Sequence, residues 1–140
     1  MRISIVALLL LLLSVSALAQ SAAYRVVVHP SNAVTTMTRD QVADAFLKKV
    51  TRWPSGETIR PVDLHGEAEV RQKFARDVLH RSLSAVRSYW QQLIFSGRNI
   101  PPPELDSDAA VLAYVLRYPG AIGYVSANAD IADAKVITVK

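Results

Sequence analysis

The stretch YRVVVH at residues 24–29, followed directly by Pro30-Ser31-Asn32, sets the first element of the fold. A run of β-branched residues that ends in turn-forming residues predicts a buried β-strand. Two further strands are expected near the C-terminus, over residues 121–125 (AIGYV, after Pro119-Gly120) and 135–139 (KVITV). TIRPVDL at residues 58–64 predicts another strand, in which Pro61 favours an edge or bulged position because it has no N–H group.

The segments between these predicted strands have the sequence patterns of helices. Thr38 and Gln41 have the spacing of a capping box, which predicts a helix from Thr38 to Lys49. Apolar periodicity predicts three more helices, over 67–80, over 84–96 and from Asp106 or Ser107 to Arg117. The order β-α-β-α-α-α-β-β predicts a single α/β domain of three layers around a small mixed β-sheet.

The first 19 residues have the pattern of a cleavable signal peptide. Arg2 precedes an apolar run, and Ala17-Leu18-Ala19 forms an A-x-A site before Gln20. The run is shorter than the roughly 20 residues that cross a bilayer, so we expect no membrane span after cleavage. Residues 20–140 then form the exported domain. The chain has no cysteine, which excludes disulfides and a lipid-anchored cysteine and predicts a periplasmic or secreted protein.

The charge balance is mildly basic, with sixteen Lys and Arg against twelve Asp and Glu and a net charge of +4. The basic residues are scattered, and no basic stripe is interleaved with aromatic residues. With the export signal, this predicts a protein that binds no nucleic acid. The remaining implication of the charge is attraction to small anions or to the acidic cell surface.

Motifs for catalysis or metal binding are weak in this chain. Asp63-x-His65 brings two metal-ligand residue types together, but a site needs three or more converging ligands. There is no G-x-S-x-G nucleophile turn and no glycine-rich phosphate loop. We therefore predict no catalytic residues, no metal site and no cofactor, and a hydrolase using His65 and Asp63 is the least favoured hypothesis.

Four segments together resemble one known family. These are residues 26–56 (VVVHPSNAVTTMTRDQVADAFLKKVTRWPSG), TIRPVDL with the helix containing Phe74, SYWQQLIFSGRNIPP at 88–102, and YPGAIGYV at 118–125. Their order and motifs are similar to those of the phosphate-binding periplasmic proteins of ABC importers. The resemblance implies the fold of one lobe of a type 2 periplasmic binding protein. It also implies a solute-binding role, with a small anion as ligand and an ABC importer or another envelope protein as partner.

The family's anion loop has been substituted in this chain. In the family, an arginine and a D-G-S-G-T segment open the helix that holds phosphate. The corresponding positions here are Leu64 for the arginine and Ala68, Glu69 and Val70 for Ser-Gly-Thr. Leucine, alanine and valine donate no side-chain hydrogen bond, and a glutamate adds negative charge, so tight phosphate capture by this loop should be lost.

The remaining candidate ligand-binding residues are Ser31, Asn32, His65 and Gly66. They follow the first and second predicted strands and would share one end of the sheet if those strands were neighbours. The alternative for Ser31-Asn32 is an ordinary turn. Two functions stay open: a solute-binding-like domain that holds an anion weakly, or a cell-envelope accessory module that no longer binds solute.

Overall fold

The computed structural model describes residues 23–140. The predicted signal segment, residues 1–19, lies outside this range. The two long terminal strands were predicted closely, since β1 spans Tyr24–Val28 and β7 spans Lys135–Val139. The elements in chain order are β1 (Tyr24–Val28), β2 (Thr36–Met37), α1 (Arg39–Phe46), β3 (Arg60–Pro61), β4 (Asp63–Leu64), α2 (Glu69–Asp77), α3 (Leu83–Phe95), β5 (Glu104–Leu105), α4 (Asp108–Arg117), β6 (Ala121–Ser126) and β7 (Lys135–Val139).

The main sheet has the strand order β2-β7-β1-β6-β3. β1 is antiparallel to both β6 and β7, whereas β2 is parallel to β7 and β3 is parallel to β6. A second, two-stranded sheet joins β4 and β5 in parallel. The domain is therefore a mixed α/β fold, as predicted.

Three layers follow from the alternation of side chains along β6. A Cβ atom on Gly123 would lie 2.7 Å from Val111 of α4, so this side of β6 faces α4. Tyr124 points to the other side, where its ring stacks on Phe74 of α2 at 3.9 Å and lies 5.9 Å from Phe46 of α1. The sheet is thus covered by α4 on one face and by α1 and α2 on the other.

The helix ends are set by the local chemistry that the sequence indicated. Thr38 and Gln41 form the complete capping box before α1. Gly97 has a φ of +66° after α3, and its N–H donates to the carbonyl of Ile94, as expected for a C′ glycine.

Three predicted elements are shorter than expected. α1, predicted from Thr38 to Lys49, ends at Phe46, before Lys48 with a φ of +55°. α2 begins at Glu69 because Gly66 has a φ of +80°, and it ends at Asp77, before His80 with a φ of +53°. The strand predicted over 58–64 divides at Val62. β3 pairs with β6 at the edge of the main sheet, as Pro61 suggested, and β4 pairs instead with β5. The sequence did not indicate β5, because its strand character depends on this distant pairing.

Candidate functional site

One edge of the domain gathers the carboxyl ends of parallel strands and the start of two helices. β4 leads through His65-Gly66 to the N-terminus of α2, and β5 leads to the N-terminus of α4. The main chain of Ser126, at the end of β6, donates to the carboxylate of Asp108 at the start of α4, over 3.1 Å. Ligands of open α/β folds bind at such an edge, so this carboxyl edge is the candidate site.

A shallow cavity of roughly 340 Å³ lies on this edge beside the first turn of α2. The N-cap residue of that helix, Ala68, makes no side-chain capping hydrogen bond. The N-terminal amides of α2 therefore present their partial positive charge without a side-chain acceptor, which is the feature that favours anions at helix N-termini. The residues lining the cavity are Ala23, Ala68, Glu69, Val70, Lys73 and Ser126.

The first turn of α2 also contains a buried arginine. Arg71 of α2 is only 7% exposed. Its guanidinium donates to Asp63 over 3.3 Å, to Glu104 over 2.7 Å and to the carbonyl of Gly66 over 2.7 Å. Two carboxylates thus pair with this guanidinium, and Arg71 is not among the residues that line the cavity.

Asp63 is held by donors from three directions. It accepts hydrogen bonds from the phenol of Tyr124, from Arg71 and from the main-chain N–H of Leu64. Burial raises the pKa of the Asp63 carboxyl, and these donors and the Arg71 charge oppose that rise. Burial, and then the Asp63 charge, raise the pKa of Tyr124, so the phenol stays protonated and remains the donor.

His65 and Glu104 form the exposed side of the same cluster. Nδ1 of His65 lies 2.9 Å from Oε2 of Glu104, and the two side chains are 65% and 39% exposed. Burial alone would raise the pKa of Glu104, but the His65 hydrogen bond and the Arg71 charge outweigh it and hold that pKa below its usual value. Glu104 is therefore an ionised partner of Arg71.

The structure brings His65 and Gly66 to the carboxyl edge but places Ser31 and Asn32 elsewhere. β6 lies between β1 and β3, and β1 runs antiparallel to β6 while β3 runs parallel to it. The ends of the two predicted strands therefore point in opposite directions. The sequence placed all four residues at one end of the sheet only if the two strands were neighbours; that condition is not met, and the opposite strand directions put Ser31 and Asn32 at the other end from His65 and Gly66.

Ser31 and Asn32 form a local turn at the opposite end. Ser31 Oγ lies 2.6 Å from Nδ1 of His29, and the Asn32 side chain accepts the main-chain N–H of Val34 over 2.9 Å. The carbonyl of Asn32 accepts a hydrogen bond from Lys135. These contacts match the turn alternative, since Asn and Ser side chains bond to nearby backbone in turns.

The structure shows the surroundings of two of the loop positions, Leu64 and Glu69, while the loss of tight phosphate capture there stays a prediction. Leu64 is 4% exposed and belongs to the hydrophobic core, so it presents no donor to the edge. Glu69 is the acidic residue of the first turn of α2 and forms a 3.0 Å ion pair with Lys73. The cavity thus has one ammonium group that is already paired with a carboxylate.

Sequence reasoning missed Arg71 and Tyr124. One signal was available: Arg71 lies three and four residues before Phe74 and Ala75, on the face of α2 that is buried. A charged residue within an apolar stripe indicates a buried ion pair. No local pattern indicates Glu104, which lies 33 residues further along the chain.

Across residues 23–140, no three His, Asp or Glu side chains are grouped closely enough to hold a metal ion. Asp63 and His65 do not bond to each other: Asp63 bonds to Arg71 and Tyr124, and His65 bonds to Glu104 of the same cluster. No helix within this range has the length and apolar character needed to cross a membrane.

Comparison with known proteins supports the fold. A protein from Clostridium perfringens, assigned as a phosphate ABC transporter substrate-binding protein and solved with bound phosphate, superposes with a TM-score of 0.65 at 19% identity. An ABC-type phosphate transport receptor from Vibrio cholerae superposes with a TM-score of 0.66 at 18% identity, and PstS from Borrelia burgdorferi with 0.58 at 13%. In each comparison 84% of this chain is covered.

The chain corresponds to less than half of each of these proteins. The superposed part covers 44% of the Clostridium protein, 46% of the Vibrio protein and 47% of the Borrelia protein. No protein-family model matches the sequence, and no curated protein matches it. The chain therefore has the fold of one lobe of a periplasmic binding protein, which confirms the predicted fold class.

Proposed function

We propose that this chain is an exported solute-binding-like domain that holds a small anion weakly at its carboxyl edge and does not capture phosphate tightly. The observation that carries this proposal is the uncapped N-terminus of α2 beside a cavity containing Lys73, on a fold shared with phosphate-binding proteins. The domain would comprise residues 20–140 and act in the periplasm or outside the cell. No enzymatic reaction is part of the proposal.

The expected weakness has an electrostatic cause. Arg71 is paired with Asp63 and Glu104, and Lys73 is paired with Glu69. An anion at the α2 N-terminus would meet the amides and the helix dipole, whose contribution at an exposed site is only about 0.3–1 kcal/mol. A single lobe also leaves one side of the ligand in water, whereas ligand pockets normally bury most of the ligand surface.

The proposal is tested by titrating the purified chain with phosphate, sulfate and acetate at low salt, followed by ¹H–¹⁵N NMR. We expect millimolar binding, on the order of 4 kcal/mol, with shifts concentrated at the amides of Glu69, Val70 and Lys73. Glu69→Gln should tighten anion binding, because it removes the competing carboxylate and frees Lys73. Lys73→Gln should weaken it.

Asp40→Asn is the matched control. Asp40 is also an acidic residue in the first turn of a helix, but it lies in α1, away from the cavity. The control should leave anion affinity unchanged. An absence of saturable shifts at the α2 amides for every anion in the panel, in the wild type and in Glu69→Gln, would remove the proposal.

A second candidate function is the accessory module of the cell envelope. A specific observation favours it: Ile94, Phe95 and Ile100 are 49%, 91% and 67% exposed at the end of α3 and in the loop that follows. Exposed apolar clusters often mark protein interaction sites. We call these three residues the α3 patch.

This candidate is tested with a photo-crosslinking residue at position 95 in cells. A single envelope protein that is cross-linked from position 95, but not from the exposed position 117 on α4, would support it. The same adduct should disappear when Ile94 and Ile100 are changed to serine. An identical set of adducts from positions 95 and 117 would contradict the candidate.

A further inference from the structure

A second cavity in the described part of the chain lies apart from the carboxyl edge. It has a volume of roughly 450 Å³, within the range of about 300–1,000 Å³ that is typical of small-molecule pockets. It shares no lining residue with the cavity beside α2. Its apolar walls include Val34, Met37, Ala45, Val50, Trp53 and Ile59.

Three separate segments build this cavity, and each is held by hydrogen bonds. α1 is fixed by its capping box. The segment carrying Met37 is bonded to the C-terminal strand, because the N–H of Lys140 donates to the Met37 carbonyl over 3.0 Å. Trp53 is 5% exposed, and its indole N–H donates to the carbonyl of Gly120 over 2.9 Å. The cavity is thus largely preformed, which reduces the ordering cost of binding.

Two opposite charges face this apolar cavity. Asp44 of α1 and Arg52 of the following turn both line it. Neither forms an ion pair with any residue in 23–140, and they do not pair with each other. The guanidinium of Arg52, an exposed residue, donates a 2.8 Å hydrogen bond to the carbonyl of Gly56, and its other N–H groups make no hydrogen bond within residues 23–140.

We propose that this cavity binds a small apolar zwitterion, an α-amino acid with an aliphatic or aromatic side chain. The apolar side chain would occupy the space between Met37 and Trp53. The ammonium group would pair with Asp44 and the carboxylate with Arg52. A ligand with both charges is favoured because it satisfies two unpaired groups of opposite sign.

The site is tested by NMR and calorimetry with L-leucine and two analogues that each lack one charge, isoamylamine and 4-methylpentanoate. We expect saturable shifts at the amides of Asp44, Val50 and Arg52. Leucine should bind about tenfold more tightly than either analogue, since one charge-assisted hydrogen bond is worth about 1.5–3 kcal/mol. Asp44→Asn should reduce leucine binding to the level of 4-methylpentanoate, and Arg52→Gln should reduce it to the level of isoamylamine.

Two further variants, one that fills the cavity and one outside it, serve as controls for the location of the site. Val50→Trp fills the cavity from a position that is 47% exposed, so the chain should fold while leucine binding is lost. Asp40→Asn, on the same helix but outside the cavity, should bind leucine normally. Equal affinity for leucine and both analogues, or shifts confined to Glu69, Val70 and Lys73, would overturn the proposal. The proposed function is tested by anion-induced shifts at those last three residues. The anion site and the leucine site therefore fail on different measurements.

Discussion

The guanidinium of Arg71 donates a 2.7 Å hydrogen bond to the carboxylate of Glu104, which joins α2 to β5 across 33 residues of sequence. This contact has two consequences. It ties the small β4–β5 sheet to the helix that borders the carboxyl edge. It also pairs the Arg71 cation with a carboxylate, so this guanidinium is not free to donate hydrogen bonds to an anion at that edge.

Arg71→Met should destabilise the domain strongly. The change leaves Asp63 buried without its charge partner, and breaking a buried pair in this way costs about 3–5 kcal/mol. Urea unfolding at neutral pH measures the loss. Adding Asp63→Asn should recover part of it, because the buried negative charge is then removed. A loss below about 1 kcal/mol for the single variant would contradict this account of the cluster.

Glu104→Gln should alter the acid dependence of stability. The pKa of Glu104 is lowered in the folded state, so below about pH 4.5, its ordinary value, the unfolded chain binds more protons. Its stabilising effect is complete above that pH and is lost as the pH falls through the lowered pKa. The difference in unfolding free energy between wild type and variant should therefore shrink in acid.

Asp63 acts in the opposite direction, because burial raises its pKa. The Glu104 charge contributes to that rise, so the comparison is made in an Asp63→Asn background, where Glu104 alone differs. A difference in unfolding free energy that stays constant from pH 7 down to about pH 3 would show that the Glu104 pKa is not lowered.

Phe74→Ala should be one of the costliest core substitutions. Phe74 is 2% exposed, stacks on Tyr124 and contacts Phe46 edge-on at 4.8 Å. Removing a buried phenylalanine costs about 3–5 kcal/mol, a large share of the stability of a small domain. Phe95→Ala is the matched control, since Phe95 is 91% exposed and should change stability by no more than about 0.5 kcal/mol. Equal losses would contradict the assigned core.

Gly123→Ala should destabilise the sheet by overpacking. The new Cβ would lie 2.7 Å from Val111 and 3.0 Å from Val62, and such overpacking costs about 1–3 kcal/mol. Val111→Ala in the same chain makes room, so the double variant should lose less stability than the sum of the single losses. Chemical denaturation of all three variants measures the coupling, and strict additivity would argue against this contact.

Much of the fold could be predicted from local patterns. The strand run of β1, the capping box at Thr38 and Gln41, and the glycine at position 97 each act within a few residues, so the sequence displays them directly. The short strands β2 and β5 have no such pattern. Each has two residues and exists because a distant strand pairs with it.

The site was harder to predict because it, too, depends on how distant strands pair. His65 and Ser31 both follow strands, but whether their loops meet depends on the order and direction of strands in the sheet. The insertion of β6 between β1 and β3 separates them, and no residue near either loop indicates it. The absence of side-chain donors at Leu64 and Ala68, by contrast, could be predicted from the sequence because it depends only on residue type.

The most direct test of the central claim is isothermal titration of the purified chain with orthophosphate at low salt. The claim is that the chain keeps the fold of a phosphate-binding lobe while its cations near the ligand edge are neutralised from within. We predict that no saturable binding is measured in the micromolar range, where the binding free energy would be about 8 kcal/mol. A dissociation constant at or below the micromolar level would contradict the claim.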